Sequence, residues 1–160
     1  MERMDSMKPM VYEYDAPWWW AVVTKWFPER CREVPRAEDP EVLLLRQFAI
    51  VKKYIYLQQF ASAESYDWYH SHPWSWGTIA IGLWGVIGEE TIGGVRRHHS
   101  FKAPYFRYMG QQWVHRSFPM SPGHTSIFIG LGRKTNEKGY YRRPEYRHWT
   151  EHVEKVVNRI

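Results

Sequence analysis

The feature that most constrains the fold is a series of short apolar segments, many of them bounded by glycine, that begins at residue 41. Aromatic and β-branched residues are frequent in these segments and favour the pleated surface of a sheet. Closely spaced strands with glycine turns between them are typical of a sandwich or barrel. We predict strands at residues 42–50, 53–60, 77–84, 86–92, 94–100, 105–109, 112–118 and 125–131.

Two helices are predicted outside these strands. A short one begins near Asp15 and Pro17, because an acidic N-cap and a proline in the first turn favour a helix start. Its apolar face would carry Trp19, Val22, Val23 and Trp26. An amphipathic helix is predicted over Pro144–Ile160, where apolar residues recur at helical spacing. We therefore divide the chain into an N-terminal tail, helix and charged connector (residues 1–40) and a β-barrel domain with its C-terminal helix (residues 41–160).

Cysteine content and the N-terminal sequence indicate the compartment. Cys31 is the single cysteine, so no intrachain disulfide can form and a reduced thiol is expected. The N-terminus lacks the apolar segment of a signal peptide. The apolar run at residues 18–23 is far shorter than the roughly 20 residues of a membrane helix. We expect a cytoplasmic protein with no membrane partner.

The net charge of +5 is unevenly distributed. Residues 1–95 carry 9 basic and 13 acidic side chains, whereas residues 96–160 carry 13 basic and 4 acidic ones. A basic second half could bind nucleic acid or an anionic small molecule. We favour an arrangement in which the two halves interleave and their charges partly compensate.

Three histidines are the candidate metal ligands. His70 and His72 are two residues apart, so in an extended segment their side chains project from the same face. His115 follows a glycine turn in a later strand. Three imidazoles from two neighbouring strands would leave positions open for water or substrate. The alternative is a hydrogen-bonded polar pocket that holds no metal.

These histidines resemble the two sequence motifs of the cupins. The His-x-His pair of the first motif corresponds to His70 and His72, and the single histidine of the second corresponds to His115. The chain is more closely similar to a group of small bacterial and phage cupin-like proteins with a His-x-His-Pro-Trp core. With that group it also shares Ala103-Pro-Tyr-Phe-Arg107, His115-Arg116 and Gly132-Arg-Lys134 before Gly139-Tyr-Tyr141. The resemblance spans about residues 50–150 and implies a cupin-type jelly-roll β-barrel.

One departure from the cupin pattern leaves the ligand set open. The glutamate that usually follows the histidine pair is missing, since Pro73-Trp-Ser-Trp-Gly77 occupies that stretch. A three-histidine site, completion by Glu89, Glu90, His124 or water, and the absence of a metal are the alternatives. If a metal binds, we expect one divalent transition ion, and iron, manganese, zinc and nickel suit the imidazoles about equally.

Four further residues are candidates for substrate binding: Arg107, Tyr56, Gln58 and His124. A guanidinium such as that of Arg107 pairs with carboxylate or phosphate, and the alternative is an arginine that faces outward. Tyr56 and Gln58 share one face of their strand, and His124 begins a strand where it could support the site. On this basis, Arg107→Ala should weaken the binding of a small anion and barely change folding or metal content.

The sequence thus predicts a metal-dependent cupin that binds or transforms a small anionic molecule. Oxygenase, isomerase and lyase chemistry all stay open. A non-catalytic ligand-binding cupin, favoured by the missing glutamate, is the first alternative, and a nucleic-acid-binding protein is the second. We also expect a homodimer, because exposed edge strands need covering and Trp18, Trp19 and Trp20 offer apolar surface.

Overall fold

The computed structural model describes residues 13–36, 39–63, 68–93, 95–111, 113–134, 139–142 and 145–148. These residues form one α-helix, α1 (Trp18–Trp26), a 3₁₀ turn (Pro28–Arg30) and twelve strands. The strands are β1 (Cys31–Pro35), β2 (Leu43–Val51), β3 (Ile55–Phe60), β4 (Trp68–His70), β5 (Thr78–Trp84), β6 (Val86–Gly93), β7 (Val95–Lys102), β8 (Tyr105–Met109), β9 (His115–Pro119), β10 (Thr125–Gly130), β11 (Gly139–Arg142) and β12 (Glu145–His148).

The twelve strands form two six-stranded antiparallel sheets. The first has the order β1-β2-β3-β10-β5-β8 and the second the order β12-β11-β4-β9-β6-β7. From β3 onward the chain passes repeatedly from one sheet to the other, which is the connectivity expected of a double-sheet jelly roll. No described strand pairs with both sheets, so they form an open sandwich and not a closed barrel. The predicted all-β class is confirmed.

All eight predicted strands are present, and their ends differ from the prediction by at most three residues. The other four strands were not predicted. One of them, β1, lies in the segment that we interpreted as a connector, and it pairs with β2.

The predicted C-terminal helix is wrong at its start. Residues 145–148 form β12, which pairs with β11 so that Tyr141 and Tyr146 are register partners. The apolar residues at helical spacing, which suggested the helix, begin only at Trp149. They therefore give no support for a helix at residues 145–148. The rest of that predicted helix, residues 149–160, lies outside the described residues.

Helix α1 docks on the first sheet through its first turn. It begins after Pro17, which is its N-cap, and not at Asp15. Trp19 is buried, and its Nε1 donates a hydrogen bond to Oγ1 of Thr125 at 3.2 Å. Val22 and Trp26, which we expected on the same buried face, are exposed. A single tryptophan therefore anchors the helix. No described helix is both long and apolar enough to cross a bilayer.

The space between the sheets contains the core, in which glycines within strands make room for aromatic rings. The central cluster consists of Trp74, Ala80, Met109 and Phe128. Gly82 is the register partner of Tyr105, and a Cβ on this glycine would overlap the tyrosine ring. Gly88 and Phe118 are related in the same way on the face of the second sheet that points away from the first. Both glycines thus permit close packing within a sheet, and Gly82 does so beside the interior-facing Tyr105 of β8.

Candidate metal centre

The second sheet brings the three predicted histidines together. His70 at the end of β4 is the register partner of His115 at the start of β9, and His72 follows two residues after His70. One ring nitrogen from each histidine lies within 4.8 Å of the other two. The ring centroids are 4.8 to 5.1 Å apart, which makes a nearly equilateral triangle. Among the described residues, this is the cluster that could hold a metal ion.

The donor set fits a first-row transition metal. Nε2 of His72 lies 2.9 Å from Nε2 of His115. Two imidazole nitrogens bound about 2.1 Å from one ion at right angles would be about 3.0 Å apart. His70 and His115 are buried, whereas His72 is half-buried and marks the more open side of the cluster. Three imidazole ligands would leave coordination positions for a small molecule.

Glu89 supports His115 from the side opposite His72. Oε2 of Glu89 lies 2.6 Å from Nδ1 of His115, whose Nε2 is turned toward His72. An ionised carboxylate only accepts hydrogen bonds, so Nδ1 carries a proton, and Nε2 is the ring nitrogen that faces the cluster. A carboxylate in this position fixes the tautomer and ring orientation of a metal-binding histidine. Glu89 therefore contacts a candidate ligand without being a member of the ligand cluster.

The Glu89 carboxylate is charged even though its side chain is fully buried. Burial alone would raise its pKa, but the hydrogen bond and charge of His115, followed by those of Arg107, outweigh burial and lower the pKa to about 2. Nη2 of Arg107 donates to both carboxylate oxygens at 2.7 and 2.6 Å, and Nε1 of Trp113 donates to Oε1 at 3.3 Å. One buried anion therefore joins His115, Arg107 and Trp113.

Arg107 points between the sheets, but its guanidinium already has an anionic partner. It pairs with Glu89 and lies over the ring of Phe101, 3.8 Å from the centroid. Removing one member of a buried ion pair leaves the other charge uncompensated. The expectation that Arg107→Ala would barely change folding is therefore corrected, because this substitution would leave the buried Glu89 carboxylate without its ion-pair partner.

Glu90 lies on the opposite face of β6 from Glu89, so it does not complete the metal cluster. Its carboxylate accepts a hydrogen bond from the Tyr69 hydroxyl, and Oε2 is 3.1 Å from Nη2 of Arg116. Arg116 thus points away from the face of its neighbour His115, as the alternation along a strand predicts. Two adjacent glutamates in one strand consequently belong to two separate buried networks.

The remaining substrate-binding candidates lie on the first sheet or, for His124, directly before its strand β10. Tyr56 packs against the central apolar cluster, and Gln58 is buried and accepts a hydrogen bond from Nε2 of Gln47 at 3.4 Å. His124 is fully buried, and its Nε2 lies 2.9 Å from the hydroxyl of Tyr105. Burial lowers the pKa of His124 to about 4, so its ring is neutral near pH 7. None of the three belongs to the histidine cluster, and their contact with a substrate stays a prediction.

Sequence reasoning missed two residues that hydrogen-bond to these buried groups. Trp113 donates to Glu89, and Tyr105 pairs with His124. Tyr105 could have been found by alternation along β8, because it lies two residues from Arg107 and between exposed neighbours. Trp113 could have been found in the same way, because it lies two residues before His115 within the strand predicted at residues 112–118, although β9 begins only at His115.

Comparison with known proteins gives no family assignment. No protein-family model and no curated protein matches the chain. Solved structures that are similar include hydroxypropylphosphonic acid epoxidase from S. wedmorenis, with 9% identity and a TM-score of 0.48 over 66% of this chain and 57% of that one. The QdtA sugar 3,4-ketoisomerase from Thermoanaerobacterium thermosaccharolyticum, in complex with TDP, has 15% identity and a TM-score of 0.39 over 82% and 93% of the two chains.

Oxalate oxidase is also similar, with 13% identity and a TM-score of 0.38 over 78% of this chain and 57% of that chain. The chain thus spans a little over half the length of the epoxidase and of the oxidase. Each TM-score is below 0.5, so these similarities carry no argument about function, which has to be inferred from the chain's own residues.

Proposed function

We propose that this protein is a metal-dependent cupin that binds or transforms a small anionic molecule. One divalent transition ion would be held by His70, His72 and His115. The observation that carries this proposal is the convergence of three imidazoles from the end of β4, the segment after it and the start of β9, with Glu89 hydrogen-bonded to the outer nitrogen of His115. A histidine cluster that served only as a polar pocket would not need a buried, charged carboxylate to fix one tautomer.

The charges around the cluster support an anionic ligand. Glu89 and Arg107 neutralise each other, so a divalent ion would leave a net positive charge at the centre. Such an ion would act as a Lewis acid on a bound oxygen group. Arg107 acts here by compensating the charge of Glu89, because an uncompensated carboxylate beside the centre would repel a carboxylate or phosphate ligand. We propose that Tyr56, Gln58 and His124 line the space beyond it.

A ligand-binding module without chemistry is the second candidate. It is favoured by the absence of a carboxylate from the described ligand cluster, since Glu89 and Glu90 both have other partners. Both candidate functions require the same metal ion and the same anionic ligand. They differ only in whether the protein converts that ligand into a product. We propose a cytoplasmic location for either, on the basis of the single cysteine.

Metal analysis tests the site directly. Protein purified from zinc-supplemented medium should carry about one divalent ion per chain. His70→Ala and His115→Ala should lose most of it, as measured by plasma mass spectrometry. His99→Ala is the matched control, because His99 is exposed on β7. Equal metal content in all four proteins would overturn the proposal.

A further inference from the structure

A buried imidazole outside the histidine cluster has an unused nitrogen. His124 lies directly before β10 and is fully buried. Its Nε2 contacts the Tyr105 hydroxyl, but its Nδ1 is buried without a hydrogen-bond partner among the described residues. Buried polar atoms are nearly always paired in native proteins, so an unpaired one needs an explanation such as a bound molecule.

Tyr105 determines which kind of partner Nδ1 requires. Burial raises the pKa of Tyr105 to about 12, so the hydroxyl keeps its proton. The side chain of Ser126 also hydrogen-bonds to this hydroxyl and lowers its pKa, as a donor to the tyrosine oxygen does. The phenolic proton is then directed to Nε2 of His124, 2.9 Å away. The His124 ring is neutral near pH 7, because burial lowers its pKa to about 4. A neutral imidazole that accepts at Nε2 carries its proton on Nδ1. The unused atom is therefore an N–H donor, and its natural partner is an oxygen acceptor.

Glycines hold both members of this pair in fixed positions. A Cβ on Gly85, which has a φ of +83°, would lie 2.7 Å from Cα of His124. A Cβ on Gly82 would overlap the ring of Tyr105. The imidazole and phenol planes differ by 7°, and Phe60 lies against the imidazole with ring centroids 6.3 Å apart. The N–H donor therefore belongs to a closely packed arrangement.

Strand β8 connects this pair to the candidate metal centre. Tyr105 and Arg107 are two residues apart and alternate with the exposed Phe106, so both point between the sheets. Arg107 contacts Glu89, and Glu89 contacts His115. The His124–Tyr105 pair and the histidine cluster thus lie at the two ends of one series of interior polar side chains.

We propose that the His124–Tyr105 pair is a second ligand subsite, which binds an uncharged carbonyl or hydroxyl oxygen of a molecule whose carboxylate lies at the metal centre. The inference rests on the proposed function and narrows its substrate class to small oxo- or hydroxy-carboxylates. Desolvation keeps the His124 ring neutral and disfavours a second charge beside it. A dicarboxylate should therefore bind less well than an oxo-acid of equal length.

Matched pairs of carboxylates test this subsite. Zinc-loaded protein with ¹⁵N-labelled histidine is titrated with 4-oxopentanoate and 5-oxohexanoate, and with pentanoate and hexanoate, which lack the carbonyl. At least one oxo-acid should shift the His124 Nδ1 resonance saturably and bind about threefold to tenfold more tightly than its matched acid, which corresponds to one neutral hydrogen bond. His124→Phe and Tyr105→Phe should lose this preference and keep their zinc.

Tyr108→Phe is the control, because it makes the same change on the exposed face of β8. Zinc content measured on each sample separates the two proposals. A wild type without zinc overturns the proposed function and this inference together. Bound zinc with equal affinity for both acids of each pair, or an unresponsive Nδ1 resonance, overturns the subsite alone and indicates a water molecule as the partner. If a variant fails to fold, the wild-type titration decides by itself.

Discussion

Oε2 of Glu89 lies 2.6 Å from Nδ1 of His115, on the side of the ring that faces away from His72. In the cupin motif that the sequence resembles, a glutamate follows the histidine pair, and here that position is lost. A carboxylate is nevertheless present, but it comes from β6 and contacts the outer nitrogen of one histidine. Its effect is to orient that histidine, and a hydrogen-bonded carboxylate of this kind strengthens an imidazole ligand.

Glu89→Gln should therefore weaken zinc binding without removing a ligand. The amide oxygen can still accept from Nδ1 of His115, but the charge is lost, and we expect a 10- to 100-fold increase in the zinc dissociation constant. Competition with a chromophoric chelator measures this constant. Glu90→Gln is the matched control: it makes the same change at the adjacent residue, whose carboxylate pairs with Arg116 on the other face.

Glu90→Gln should lower the free energy of unfolding without changing the zinc affinity. Weakening the contacts of a buried charged group typically costs about 1–3 kcal/mol, which urea denaturation of the zinc-free protein measures. An equal loss of zinc affinity in both variants would mean that the effect is a general loosening of β6, and it would remove the specific role of Glu89.

Arg107→Ala should destabilise the protein as well as weaken anion binding. Because the substitution leaves the buried Glu89 carboxylate without its guanidinium, we expect a loss of about 3 kcal/mol in the free energy of unfolding. Binding of pentanoate to the zinc form should weaken by about one order of magnitude. Arg107→Lys, which keeps the charge but not the planar fork, should lie between wild type and Ala. Wild-type stability in Arg107→Ala would show that the ion pair does not form.

The sandwich could be predicted because its strands have strong local signals. Alternation of apolar residues and turn residues between them located β2, β3 and β5 to β10. The four strands that were missed are short, and β4 has three residues. Such strands are defined by the neighbours that they pair with, as His70 is by His115, and a neighbour distant in sequence leaves no local periodicity.

The site was predicted in part, for a related reason. Spacing and motif placed three histidines together, because an i, i+2 pair projects from one face and the third has its own motif. The roles of Glu89 and Arg107 depend on which strands face each other across the sandwich, and β6 and β8 belong to different sheets. Sequence separation gives no indication of that contact, so the arginine was assigned to a substrate and not to a glutamate.

His124 makes the stability of the protein depend on pH in a defined window. Its folded pKa of about 4 is below the ordinary value of 6.5, so the unfolded chain binds the proton more tightly. The contribution of neutral His124 to the free energy of unfolding is therefore fully present above about pH 6.5, and it is lost as the pH is lowered toward 4. By pH 5 the loss from this one group should be about 2 kcal/mol relative to pH 7.5. Urea denaturation at both pH values measures it.

His124→Gln provides the comparison, since an amide does not titrate. This variant is expected to be less stable at pH 7.5, but the additional loss between pH 7.5 and pH 5 should be smaller by about 2 kcal/mol. The titration of Glu89 does not interfere with this comparison. Its pKa is lowered from 4.5 to about 2, so its contribution to the free energy of unfolding is lost at more acidic pH. An unchanged pH dependence in His124→Gln would show that the imidazole is not desolvated.

The outer face of the first sheet carries an apolar row that one chain leaves partly uncovered. Successive register partners across five strands are Phe48, Leu57, Ile127, Ile81 and Phe106. Phe106 is 67% exposed at the end of this row, and Trp18 on α1 is 73% exposed. Trp19, in contrast, is buried within the chain. The tryptophan run therefore offers less surface for self-association than the sequence suggested, and the sheet face offers more.

We predict that this face pairs with a second copy of the chain to form a homodimer. A twofold interface would place this row of aromatic and branched side chains against the same row of the second chain, and association would remove the apolar area from water. Phe106→Ser should raise the dimer dissociation constant at least tenfold, because burial of a phenylalanine contributes about 1.5–3 kcal/mol. Met120→Ser, at a residue exposed outside the row, should leave the constant unchanged. Sedimentation equilibrium at micromolar concentrations measures all three proteins, and a wild type with the monomer mass throughout that range would contradict the prediction.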